Sequence, residues 1–110
     1  MLRILLQVSR DQLLRGFKAQ GHTGGDLGRN IACAAATALL RTTGRVCTAR
    51  GVVAGGSKGS PGDMAMVLRN DGEGSGDWLR GVTDFLVRGM SDLQTEFPDQ
   101  IALRVEMTED

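Results

Sequence analysis

Residues 21 to 40 read GHTGGDLGRNIACAAATALL, and the change of composition at Asn30 decides how the rest of the chain is read. Before Asn30, glycines at positions 21, 24, 25 and 28 remove side chains from the stretch and describe a loop. After it, IACAAATALL is rich in helix formers, and Asn30 is a good N-cap, its side chain able to accept a hydrogen bond from an amide two or three residues on. A helix is therefore expected from about Ile31 to Thr42 or Thr43, with Gly44 as its C-terminal signal and Arg41 and Arg45 near the negative end of its dipole. Ile31, Ala34, Ala35, Ala38, Leu39 and Thr42 recur at helical spacing, and small or apolar residues fill the next flank, so this helix should be central.

Working toward the N-terminus, residues 13 to 20 read as a strand with Phe17 and Ala19 on one face, and Ser9 to Asp11 as a turn. Residues 2 to 8, LRILLQV, read as an earlier strand whose nearly continuous apolar character predicts cover on both faces. That hairpin would deliver Gly21 and His22 at its end. Working toward the C-terminus, Cys47 reads as a structural cysteine, and residues 52 to 54 and 64 to 69 as two strands joined by GGSKGSPGD, a flexible tip. The order GxxxxGK[ST] is absent from that tip, so nucleotide binding is not expected. NDGEGSG at 70 to 76 is a further turn region. Trp78, Val82, Phe85, Leu86, Met90 and Leu93 then form an apolar helical stripe, with Asp77, Arg80, Asp84, Arg88 and Asp92 on the polar side. Phe97-Pro98-Asp99 stops this helix, and Ile101 to Met107 alternate as a last strand, with Ile101, Leu103, Val105 and Met107 on one face. The expectation is a small α/β fold over residues 1–110 as one domain, in the order ββαββαβ, with two helices packed on an antiparallel or mixed sheet.

Charge and cysteine usage narrow the classes. Thirteen basic residues balance thirteen acidic ones, so nothing points to a nucleic-acid surface. No run of 18 apolar residues predicts a membrane span. Two cysteines and no signal peptide are expected of reduced thiols in a cytoplasmic protein. Cys33, Cys47 and one histidine do not make a zinc site without borrowing a carboxylate such as Asp26, and neither a metal nor a cofactor is expected.

The chemistry of the opening stretch lies in Cys33 and His22. Cys33 would be the third residue of the helix, where exposed amides and the positive end of the dipole stabilise a thiolate. The same amides suit the oxyanion of a tetrahedral intermediate. His22, the one histidine of the chain, supplies a base that titrates near neutrality, provided the loop brings it within hydrogen-bond reach. Gly24, Gly25, Asp26 and Gly28 are candidates for a loop that closes over substrate. The plainer reading stays open at this level: a cysteine among alanines is commonly a small buried hydrophobe, and a lone loop histidine commonly faces solvent.

Gly21-His22-Thr23, the glycine-bearing loop and Asn30-Ile31-Ala32-Cys33-Ala34-Ala35 resemble the signature of the ribosomal-processing cysteine proteases, the Prp family. Length and element order extend the resemblance to essentially the whole chain. It implies His22 as the catalytic histidine and Cys33 as the catalytic cysteine. Thr23 stands where the family pattern has alanine, and Asn30 where it has aspartate; either caps a helix, but only aspartate would bring charge to an imidazolium. The resemblance further implies a homodimer that removes an N-terminal extension from a bacterial large-subunit ribosomal protein precursor, cutting at an aromatic-containing motif. Two other readings belong beside it: a non-enzymatic ribosome-associated interaction protein on the same fold, and a small thiol amidohydrolase.

Overall fold

In a computed structural model of the chain, residues 1–21, 31–58, 63–69 and 75–109 are described, residues 57 and 58 by their backbone alone. Their elements are β1 (Leu2–Val8), β2 (Leu14–Gln20), α1 (Ile31–Arg50), β3 (Val53–Lys58), β4 (Met64–Leu68), α2 (Gly76–Glu96) and β5 (Ile101–Met107). The order is the expected ββαββαβ. The five strands make one mixed sheet in the order β3-β4-β2-β1-β5, with β1 and β5 parallel and every other pair antiparallel.

The β1–β2 hairpin turns through Ser9–Leu13, where Ser9 N–H donates to Leu13 O at 2.8 Å and Ser9 Oγ accepts from Leu13 N–H at 3.2 Å. In β1 only Leu2, Ile4, Leu6 and Val8 are buried, while Arg3 is exposed and Leu5 and Gln7 are half-buried. The expected cover on both faces is corrected: the alternation belongs to a sheet with its helices on one side. Leu2, Ile4, Leu6, Phe17 and Ala19 share a single core with Ala32, Ala36, Leu40 and Cys47 of α1 and Leu79, Leu86 and Met90 of α2. Thr83 ties α2 to that sheet, accepting from Leu14 N–H at 2.8 Å and donating to Leu79 O at 2.7 Å, so its buried hydroxyl is satisfied twice.

α1 is longer than its sequence suggested. It runs through Gly44 to Arg50. Gly44 is not a C-cap; it is buried against β4, and a Cβ there would lie 2.8 Å from the Met66 methyl. The stop comes seven residues later at Gly51, with φ +81°. Gly51 N–H donates to Thr48 O at 3.0 Å and Val52 N–H to Cys47 O at 3.2 Å, the paired bonds of a Schellman ending, and a guanidinium N–H of Arg69 donates to Gly51 O.

Three further expectations shift. β3 begins at Val53 and continues through Gly55, Gly56 and Ser57 to Lys58, so half of the supposed flexible tip is paired strand. Gly56 permits this, since a Cβ would stand 2.9 Å from the Ala65 carbonyl oxygen. In α2 the buried line is Leu79, Thr83, Leu86 and Met90, which rotates Phe85 out of the core to 69% exposure. In β5 burial fades along the strand, from Ile101 at 1% to Met107 at 64%. Its outward Leu103 N–H is covered by Gln94 Oε1 at 2.6 Å, which closes part of an edge that would otherwise offer backbone donors.

Candidate active site

The site is assembled where the end of β2 meets the start of α1. Phe17 and Ala19 alternate inward along β2, and the ladder with β4 ends at the pair Ala19 and Met64. Beyond it Gly21, at φ +98°, turns against the start of β1; a Cβ there would sit 2.5 Å from Met1 O. Gly21 N–H donates to Asp63 Oδ1 at 3.1 Å.

Cys33 is the third residue of α1 and is half-buried. It therefore stands in the first turn, where backbone amides lack intrahelical acceptors. Its Sγ is 4.0 Å from Thr37 Oγ1, one turn further along the helix. Thr37 in turn lines a crevice of about 30 Å³ with Leu2, Ala19, Leu40, Asp63 and Met64. Leu40 and Met64 are shared with a larger, mostly apolar cavity of about 250 Å³ that reaches Phe17, Arg41, Gly44, Gly56 and Met66. Residues 33, 37, 40 or 41, and 44 fall on one helical face. Along α1, Thr37 and Leu40 line the crevice and Leu40, Arg41 and Gly44 the larger cavity, with Met64 of β4 lining both.

The second cysteine has a different chemistry. Cys47 is fully buried, 14 residues further along the same straight element, so the two sulfurs are about 20 Å apart and no disulfide joins them. Burial pushes the Cys47 thiol up to about 11 from its ordinary 9.0. A thiol held neutral at physiological pH is inert, which agrees with its structural reading.

Of the site residues read from sequence, the structure describes Cys33 and places it at the predicted helix position. His22, Gly24, Gly25, Asp26, Gly28 and Asn30 lie outside the described residues. Sequence reasoning missed two neighbours. Thr37 is signalled only by its i,i+4 spacing from Cys33; Asp63 becomes visible only when the β2–β4 register is known, since 42 residues separate it from Gly21. Among the described residues no helix is long and apolar enough to cross a membrane.

A half-exposed thiol in the first turn of a helix, on a five-stranded mixed sheet, places a candidate nucleophile on a small α/β fold. The sequence profile of the family described as cysteine protease Prp matches residues 1–102, and the chain belongs to that family of cysteine peptidases. Solved structures agree on the fold. SMU.848 from Streptococcus mutans is 17% identical, with a TM-score of 0.75 over 98% of this chain and 96% of that one. The essential ribosomal processing protease Prp from S. aureus, with a covalently linked product peptide, is 15% identical, with a TM-score of 0.77 over 98% of this chain and all of its own. The same protease with a substrate peptide gives 15% and 0.76, covering 96% of this chain and 100% of that one. No curated protein shows a significant match.

Proposed function

We propose that this chain is an endopeptidase with Cys33 as nucleophile and His22 as general base. Its biological task, on this reading, is to remove an N-terminal extension from a large-subunit ribosomal protein in the bacterial cytoplasm. The observation that carries the reading is the half-exposed Cys33 in the first turn of α1, in a chain whose family profile spans residues 1–102. The S. aureus relative, solved with substrate and product peptides, supports a peptide as the ligand of this fold.

The chemistry follows from the residue types. His22 takes the thiol proton and the Cys33 sulfur attacks the scissile carbonyl carbon. The resulting oxyanion is held by first-turn amides of α1. The C–N bond breaks as the imidazolium returns its proton to the leaving amine, and a thioester remains on Cys33. Water, deprotonated by His22, then attacks the thioester, releasing the carboxylate and restoring the thiol. The two cavities along α1 suit an extended substrate, with an apolar side chain in the 250 Å³ cavity beside Phe17 and Met66. No metal or cofactor takes part in this sequence. A homodimer is the proposed working form, and the exposed Val46 and Phe85, both beside an apolar groove between α1 and α2, support an apolar contact.

The decisive measurement is Cys33 alkylation by iodoacetamide from pH 5 to 9, in wild type and His22→Ala, beside cleavage of a ribosomal-precursor peptide. Rapid labelling at neutral pH that slows in His22→Ala, with cleavage lost in both His22→Ala and Cys33→Ala, is the expected result. Labelling like that of an unassisted thiol and indifferent to His22 would overturn the dyad.

A further inference from the structure

We propose that Asp63 is a positioning residue for His22, acting through the backbone of Gly21; the inference rests on the reading of His22 as the base. The β2–β4 ladder stops at Ala19 and Met64, two residues short of Gly21. The Asp63 carboxylate continues it by one side-chain rung, Oδ1 accepting from Gly21 N–H at 3.1 Å. On its other side Gly21 is pressed against Met1 O, with a positive φ that only glycine adopts readily. The backbone is held between Met1 and Asp63 at the residue immediately before His22. That grip fixes the backbone at the end of β2 as far as Gly21.

The same carboxylate borders the crevice that contains Thr37, whose hydroxyl is 4.0 Å from the Cys33 sulfur. One residue thus ties down the Gln20–Gly21 peptide unit, one residue before the base, and also lines the crevice that reaches Thr37. The bond to Gly21 is exposed to solvent, where a hydrogen bond adds little to global stability. Its effect is orientation, and reaction rates are steeply sensitive to placement of a catalytic group. The feature required of position 63 is an acceptor oxygen at this reach, so asparagine should serve and alanine should not.

The test compares Asp63→Ala, Asp63→Asn, Asp63→Glu and His22→Ala in the full chain, measuring kcat and KM for peptide hydrolysis and the thermal midpoint of each. Asp63→Ala is expected to lower kcat by about 10- to 100-fold with KM changed less than about twofold. Asp63→Asn should recover kcat to within about threefold of wild type. Asp63→Glu, which keeps the charge but moves the oxygen by one methylene, should rank below Asp63→Asn. Wild-type kcat in Asp63→Ala overturns the proposal, as does Asp63→Glu outperforming Asp63→Asn. If Asp63→Ala does not fold, the Asn and Glu variants decide the matter by their order. Undiminished hydrolysis in His22→Ala would remove the base reading and this proposal with it. Loss in His22→Ala beside a wild-type Asp63→Ala would remove only the role of Asp63.

Discussion

The two ends of α1 each carry a cysteine, and the contrast between them separates position from residue type. Cys33, in the first turn, is half-buried, one helical turn from the Thr37 that lines a crevice. Cys47, three residues from the other end, is wholly enclosed by the core, and its thiol is pushed up to about 11. One helix holds the same side chain as a candidate nucleophile and as a packing methylene equivalent. A helix start exposes donors that favour an anion; a core position penalises one.

The sharpest way to break this contrast is truncation at both positions. Cys33→Ala should abolish peptide hydrolysis, a loss of about 10⁴-fold or more in kcat, with the thermal midpoint nearly unchanged. Cys47→Ala should do the reverse, keeping kcat within about twofold while lowering stability by about 1–2 kcal/mol in denaturant titration. Activity surviving in Cys33→Ala would end the functional half of the comparison.

A pH series sharpens the buried half. The folded Cys47 thiol keeps its proton up to about 11, whereas in the unfolded chain it loses it near 9.0. Between those values the unfolded state is favoured by deprotonation, so stability is intact below pH 9 and falls as pH rises toward 11. Relative to Cys47→Ala, wild type should lose up to about 2 kcal/mol across that window. Parallel pH curves for the two proteins would show that Cys47 is not shielded as described. The smallest effect concerns the helix stop itself: Gly51→Ala places a Cβ at φ +81° and should cost about 1 kcal/mol without altering kcat.

The sequence made the element order plain because each element has a strong period or a strong breaker. The strand bounds of β1 and, within the α2 stripe, the buried Leu86 and Met90 survive in the structure, whereas the cover expected on both faces of β1 and the inward place of Phe85 do not. Gly44 misled because a glycine that lets a helix approach a sheet looks, in one dimension, like a glycine that ends a helix. Gly51 plays the second role and is distinguished only by its φ and its paired amide bonds. Phe85 fits the helical stripe by spacing, but a stripe fixes a face only to within one residue's rotation, and Thr83 took the buried place by giving its hydroxyl two partners. The place of Cys33 in the first turn of α1 was legible from the alanine run. Asp63 was not, because its partner is a backbone amide reached through strand register, and no local pattern encodes that.

The contact between Gly44 and Met66 makes α1 a lever with a fulcrum. Eleven residues separate Gly44 from Cys33, about 16 Å of helix. A tilt of about 4° about that contact would swing the sulfur by about 1 Å, a displacement of the size that costs on the order of 100-fold in rate. A methyl group added at Gly44, remote from the chemistry, would press on that fulcrum against the end of the Met66 side chain, and the thiol rides on the long arm.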